Sequence, residues 1–306
     1  MKERGNKIME IIDGKKIRDS ILAKIKTEVA ELSFKPVFCD VLVGDNPVSR
    51  QYVDMKARTA ERVGIHFHKA VFPASISTED LVKEIKALNT IENMCGIIVQ
   101  LPLPDSLDKR AVLDSIDPKF DVDCLGTLGS EKFYKSYNGE TDLGYPTALA
   151  CVALLDSLSL DLKGKIIVVL GQGDLVGKPV SALLKYRGLT YLPVDKRTEN
   201  KEYLLQQADV VISGIGKGKY ITGNMIKQGA VLIDAGTSED VKSTPGAPGN
   251  IVGDVDLESV KNVAGNVSPV PGGVGPVTVA MLLNNVLTVA KSTMKARDNV
   301  LNQKYE

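Results

Sequence analysis

Residues 163 to 188, KGKIIVVLGQGDLVGKPVSALLKYRG, run from an apolar strand through a glycine-bearing turn into an amphipathic helix. A helix that follows a strand so closely carries the chain back across the sheet, and the next strand, LTYLPVD, is then laid down parallel to the first. ADVVISGIG and GAVLIDAG, the latter at 229 to 236, repeat the pattern of a short apolar run that stops at glycine. Strands buried on both faces are continuously apolar in this way, so this half of the chain predicts an α/β domain around a parallel sheet.

The front half alternates in the same manner. KIRDSILAKIKTEVAE, 16 to 31, carries a helical stripe at Ile17, Ile21, Leu22, Ile25 and Val29. PVFCDVLVG, 36 to 44, reads as a buried strand, and a helix is expected from Ser49 to Val63, stopped by Gly64. IHFHKAVF is a second strand, STEDLVKEIKALN a Ser-capped helix, and CGIIVQ, 95 to 100, a third strand. The signal weakens over 121 to 147 and restarts as a helix at YPTALACVALLDSL. Near the carboxy end VSPVPGGVGPVT, 267 to 278, precedes an apolar helix to about residue 291 and a polar tail. Proline and glycine there read as a shaped wall that lets a ligand approach the main chain. The expected organisation is two α/β domains around a cleft: 1–147 completed by a C-terminal helix, 276–306, and a Rossmann-like domain at 148–275.

With 306 residues the chain can bury two cores without staples. Its 38 basic and 38 acidic side chains leave no net field to attract a nucleic acid or an anionic membrane. Cys39, Cys95, Cys124 and Cys151 fit no zinc or CxxC spacing and are expected as reduced thiols. A metal built on histidine has only His66 and His68 to use, and none is expected. The amino end has charges but no apolar core ahead of a cleavage site, and no run of about 20 apolar residues occurs, so a cytoplasmic protein is expected.

Gly171, Gly173 and Gly177 give the nucleotide-type turn, spaced GxGxxxG, one residue longer than the commonest dinucleotide fingerprint. A tight bare turn before a helix amino end suits a pyrophosphate. Asp195 ends the next strand, 24 residues beyond Gly171, where a carboxylate can accept from ribose hydroxyls and repel a 2′-phosphate. Lys196 and Arg197 beside it could instead bind that phosphate. Gly214, Gly236 and Thr237 stand at strand ends on the same edge. On the other half, Tyr52 and Lys56 share a helix face at i, i+4, and Gln100 ends a strand on the edge near them. A partly desolvated lysine held by an amide can move protons near neutrality. DVD, 121 to 123, offers two carboxylates, and spacing does not choose between a ligand contact and a loop cap.

YVDMK, QLPLP, DVD, VGKP and PVPGGVGPVT followed by AMLLNN, taken in order from about residue 9 to 291, resemble the bifunctional methylenetetrahydrofolate dehydrogenase/methenyltetrahydrofolate cyclohydrolase family. The resemblance implies hydride transfer from 5,10-methylenetetrahydrofolate to a nicotinamide and then hydration to 10-formyltetrahydrofolate, in a homodimer. It implies Lys56 as the catalytic lysine, Gln100 positioning it, Tyr52 along the substrate and Asp123 on the pterin edge. Pro271, Gly272, Gly273, Val274 and Thr278 would line the folate pocket, with Pro276 and Thr278 starting the helix. The chain departs from the family where Gly171, Gln172 and Gly173 replace Gly-Arg-Ser and where Val194, Asp195 and Lys196 replace Cys/His-Ser. Both changes favour NAD, with NADP possible through Arg197. Tyr145 to Ala150 and Cys124 also differ, which keeps two alternatives open: a cyclohydrolase with weak or lost dehydrogenase activity, and a non-catalytic folate- or nucleotide-binding protein of the same fold.

Overall fold

The computed structural model describes residues 9–239 and 251–302. In chain order its elements are β1 (Glu10–Ile11), α1 (Gly14–Ala30), β2 (Val37–Val43), α2 (Pro47–Arg62), β3 (His66–Phe72), α3 (Thr78–Leu88), β4 (Met94–Val99), α4 (Lys109–Asp114), α5 (Thr127–Lys135) and α6 (Pro146–Asp156). There follow β5 (Ile167–Leu170), α7 (Gly177–Tyr186), β6 (Tyr191–Val194), α8 (Lys201–Gln207), β7 (Val210–Ser213), β8 (Val231–Asp234), β9 (Ser238–Glu239), β10 (Ile251–Val252), α9 (Leu257–Val260), β11 (Asn266–Val267) and α10 (Val274–Asn302). The chain forms two compact units, one of Ser20–Pro146 with the chain from Val279 on, the other of Thr147–Thr278 with the chain up to Asp19.

In the first unit β2 is the centre of a parallel sheet of order β3-β2-β4, and every residue of β2 and β4 is buried. That is why both read as apolar runs, interrupted in β2 by Asp40 alone. Asn46 caps α2 by accepting from the Val48 and Ser49 amides at 2.9 and 3.1 Å, and Pro47 opens the helix where no amide donor is needed. The apolar side of α10, including Leu283, Val286, Leu287 and Ala290, lies in this unit's core with Phe38, Ile97 and Val122. Gly96 lets the helix approach β4, since a Cβ there would sit 2.8 Å from Val286 Cγ2. By length and composition α10 could cross a membrane, but 56% of its most apolar window is buried inside the protein.

The second unit holds a parallel sheet of order β1-β11-β8-β7-β5-β6 over a core that includes Val168, Leu205, Val211 and Leu232. Pro193 is tolerated because β6 is the edge strand. Two expectations are corrected. The segment up to Asp19 belongs with this unit, not with the rest of 1–147, because β1 pairs with β11, Glu10 opposite Asn266 and Ile11 opposite Val267. A strand of two residues has no periodicity to read. The last helix begins at Val274, two residues before 276, with Pro276 in the first turn where its missing N–H has no partner to lose, and it continues through the supposed tail to Asn302. All four cysteines are free and buried, and burial pushes the Cys39, Cys95 and Cys151 thiols up to about 12.

Candidate active site

Lys56 lies on the inward stripe of α2 with Ser49, Val53 and Ala60, and only 8% of it is exposed. A lysine in that position must take its partners from the sheet below. Its Nζ donates to Gln100 Oε1 at 2.8 Å, just past the end of β4. Gln100 Nε2 in turn donates to the Leu101 carbonyl at 2.8 Å, which fixes the amide with its oxygen toward the ammonium. The second partner is Asp40, in the middle of β2 and fully buried, with Oδ2 2.7 Å from Lys56 Nζ. Desolvation raises the Asp40 carboxyl above the usual carboxylate range, and Lys56 and Lys69 oppose that rise.

The 120–123 segment runs beside β4. Ile97 donates to the Phe120 carbonyl at 2.8 Å and bridges Asp121 in the parallel sense, after which the chain turns away, the Cys124 amide donating back to the Asp121 carbonyl at 3.1 Å. The two carboxylates of DVD separate here. Asp121 caps the following loop by accepting from the Leu125 and Gly126 amides at 3.3 and 2.8 Å. Asp123 keeps some solvent access but is ringed by protein, and desolvation pushes its carboxyl up to about 7; Lys56 pulls it down, while Asp121 and Asp40 push it further up. Cys124 follows at φ +57°, a left-handed position in a place where the resemblance has glycine. Asn285 of α10 braces the segment, donating to the Val122 and Gly144 carbonyls at 2.8 and 2.7 Å.

Lys56 and Gln100 are therefore gathered at one strand end, and Asp123 is close enough to feel the charge of the lysine. Tyr52 stands one turn earlier on α2, 43% exposed, with its ring open to a ligand. Asp40 and Asn285 were not singled out from the sequence. The signal for Asp40 was present, since a lone carboxylate inside VFCDVLV needs a buried cation.

A raised carboxyl makes a stability prediction. A folded-state value of about 7 means that Asp123 holds a proton the unfolded chain has already lost, so its contribution is present below the unfolded value near 4 and lost as pH rises to 7. Asp123→Asn is expected to melt higher than the parent at pH 8, by about 2–4 °C or more, with the gap opening between pH 4 and 7. Thermal scans across that range check it, and a gap that widens toward acid would contradict the burial of this charge.

In the second unit the ends of β5, β6, β7 and β8 lie on one edge of the sheet. Gly171 sits at φ +91° and its amide donates to the Val194 carbonyl at 2.7 Å. Gly173 is exposed, with nothing within 4 Å of where a Cβ would point, so the turn presents bare backbone beside the amino end of α7. Gln172 folds back onto its own turn, donating from Nε2 to the Val169 and Gly171 carbonyls at 3.1 and 3.0 Å. Asp195 accepts from the Arg197 amide at 2.8 Å and from its guanidinium at 3.0 and 3.2 Å, which holds the carboxyl below its usual range. Lys196 is exposed beside them.

Gly214 and Gly236 follow β7 and β8, and two buried aspartates tie their loops together. Asp254 accepts from Ser213 Oγ and from the Ile215 and Lys217 amides at 2.6, 2.8 and 2.7 Å. Asp234 accepts from the Gly236, Asp254 and Val255 amides at 2.9, 3.0 and 2.9 Å. Gly236 is buried against Asp254 while Thr237 is exposed. In the 267–278 stretch Pro271 is exposed, Gly272 takes φ +112°, Gly273 donates to the Pro269 carbonyl at 2.7 Å and Val274 is buried. Thr278 turns its hydroxyl to the Val274 carbonyl at 3.2 Å. A bare glycine turn, a helix amino end and an ionised carboxylate on the next strand fit a dinucleotide.

Two family models match the chain: the tetrahydrofolate dehydrogenase/cyclohydrolase catalytic domain over residues 12–123 and the NAD(P)-binding domain of the same family over 145–294. The bifunctional protein FolD of Moorella thermoacetica is 39% identical over 292 residues, covering 92% of this chain and 99% of its own. The crystal structure of the bifunctional FolD methylenetetrahydrofolate dehydrogenase/cyclohydrolase of Campylobacter jejuni superposes with TM-score 0.86 at 32% identity, covering 93% of this chain and 99% of that one. That of the Trypanosoma brucei methylenetetrahydrofolate dehydrogenase-cyclohydrolase, complexed with NADP and an inhibitor, gives 0.85 at 34%, covering 94% and 98%. The same two domain types in the same order, matched almost end to end, place this chain in the tetrahydrofolate dehydrogenase/cyclohydrolase family.

Proposed function

We propose that this protein oxidises 5,10-methylenetetrahydrofolate with NAD(P), preferring NAD, and hydrolyses the resulting 5,10-methenyltetrahydrofolate to 10-formyltetrahydrofolate. The observation that carries the reading is the buried Lys56, whose Nζ is 2.8 Å from a Gln100 amide locked in one orientation. In the hydrolysis, water adds to the electrophilic methenyl carbon and Lys56 takes the proton that the water loses; the bond to a ring nitrogen then breaks, that nitrogen taking up the hydroxyl proton of the adduct as the formyl group forms. Gln100 holds the lysine in place. Asp123 accepts from the N–H groups of the pterin edge, and the Tyr52 ring packs along the substrate. Pro271, Gly272, Gly273, Val274 and Thr278 belong to the folate wall in this reading.

When bound, the nicotinamide cofactor supplies the hydride acceptor for the first step. The protein's part there is to bind and orient. Gly171, Gln172 and Gly173 with the amino end of α7 take the pyrophosphate, Asp195 the ribose hydroxyls, and Gly214, Gly236 and Thr237 the rest of the nucleotide. NAD preference is supported by two side chains. Gln172 brings no cation and spends its amide on its own turn, and Asp195 is an ionised carboxylate that repels a 2′-phosphate while occupying the Arg197 guanidinium. A homodimer in the cytoplasm belongs to the same reading.

The test is the initial rate of methenyltetrahydrofolate formation with NAD and, in parallel, with NADP, followed by the decay of added methenyltetrahydrofolate. Turnover with NAD ahead of NADP is expected. Faster turnover with NADP keeps the enzyme and overturns the preference, and hydrolysis without oxidation leaves a cyclohydrolase alone. Asp195→Ser is expected to lower the NAD-to-NADP ratio of kcat/KM by about tenfold, about 1.4 kcal/mol of discrimination, and an unchanged ratio removes Asp195 from the argument.

A further inference from the structure

Asp40 is the least expected side chain of the first unit. It interrupts an all-buried strand, its own exposure is nil, and among the described residues neither carboxylate oxygen has a well-aligned hydrogen-bond donor. Among the described residues its one ion-pair partner is the Lys56 ammonium at 2.7 Å. A buried charge held by a single ion pair is expensive to keep and rarely improves stability over an apolar residue. Its neighbours on the same face, Phe38 and Leu42 in its own strand and Ile98 opposite it on β4, are buried and apolar.

The remaining charges around it are few. Lys69 on β3 stands opposite Asp40 in the register, but its ammonium is 2.9 Å from Asp54 Oδ1. β4 offers Ile98 opposite, and the neutral Gln100 beyond its end. The 121–123 segment contributes Asp123, which feels both Lys56 and Asp40. The lysine thus stands among two carboxylates and an amide oxygen, and Asp40 is the carboxylate in direct ion-pair contact with it.

We infer that Asp40 is a positioning residue that acts through Lys56: its buried carboxylate anchors the ammonium at the strand edge, and the Asp40–Lys56 pair, not the lysine alone, sets the pH at which the amine becomes free to accept a proton. The inference rests on the proposed role of Lys56 in hydrolysis. Its chemistry adds no step to that reaction. The water proton still goes to the amine, and Asp40 decides how readily the amine is available, because a carboxylate beside it favours the charged form.

The experiment compares the parent with Asp40→Asn, which keeps the shape and removes the charge, and with Asp40→Val, which suits the apolar strand should the amide fail to fold. Two quantities are read against pH: kcat and KM for hydrolysis of methenyltetrahydrofolate, and the rate at which acetic anhydride labels Lys56, followed by mass spectrometry. In a folded variant the ascending limb of kcat and the onset of labelling are expected to move together toward acid by about one pH unit or more, with KM nearly unchanged. A folded variant that only melts at a different temperature, with limb and labelling onset where the parent has them, overturns the inference. A uniform loss of rate with no shift overturns it equally. Should the parent fail to hydrolyse the folate, the proposed function falls, and the labelling still decides: an acidward onset supports the Asp40–Lys56 coupling and an unmoved one rejects it.

Discussion

Lys56→Met is expected to lower hydrolysis of methenyltetrahydrofolate by about 10²–10⁴-fold, the range usual for a lost general acid or base. Methionine keeps an unbranched chain on the buried stripe of α2, so packing against Val53 and Ala60 survives. The charge balance does not. Removing the ammonium strands Asp40, and breaking a buried pair from one side costs about 3–5 kcal/mol when the remaining charge has no outlet. Asp40 has one, because burial raises its carboxyl and the loss of Lys56 removes the nearest charge that opposes the rise, so the acid can take up a proton. The loss of stability should therefore be small in acid and grow as pH rises. The double variant Asp40→Asn/Lys56→Met is expected to recover the melting temperature at pH 8 without recovering hydrolysis. That combination separates a folding defect from a chemical one. Parent-like hydrolysis in Lys56→Met would end the assignment of this lysine, whatever the melting curves show.

What could be read from the sequence divides along physical lines. β2, β4, β5, β7 and β8 are short apolar runs buried on both faces, a pattern that survives without any knowledge of neighbours. The glycine turn at 171–177 and the Lys56–Gln100 pairing also follow from local rules, since a strand end and the helix after the preceding strand share an edge in a parallel sheet. What escaped depends on distant partners. Asp40 looks like a flaw in a strand until Lys56 is placed over it. Asn285 looks like a polar break in a helix until its amide is seen on the carbonyls of Val122 and Gly144. The pairing of β1 with β11 joins residues some 256 apart through two residues each, too few for any period to register. α5 fell in the weak stretch because it is short and buries only Phe133, and α4, ahead of that stretch, is too short to show a helical period.

The nucleotide turn carries the second large expectation. A Cβ on Gly177 would lie 1.8 Å from the Gly171 carbonyl oxygen and 3.0 Å from Gln172 Cα, backbone atoms of the turn itself. The turn has little room to retreat, because the Gly171 amide is bonded to Val194 and the Gly214 amide to Leu170, at 2.7 and 3.0 Å. Gly177→Ala should therefore lever the turn away from α7. Overpacking of this kind costs about 1–3 kcal/mol, which corresponds to about 5- to 150-fold in affinity when the displaced groups are those that bind. NAD(P) binding and dehydrogenase turnover are expected to fall by that factor, while hydrolysis at Lys56, in the other unit, continues. Gly173→Ala is the control. Nothing lies within 4 Å of its Cβ position, so the fold should be indifferent and only a ligand crossing the turn would meet the methyl group. Calorimetric titration of both variants with NAD, beside their thermal scans, tests the placement of the pyrophosphate. Weakened binding in Gly173→Ala at an unchanged melting temperature locates the ligand on the turn, and full affinity there would move the pyrophosphate elsewhere, even if Gly177→Ala had lost it.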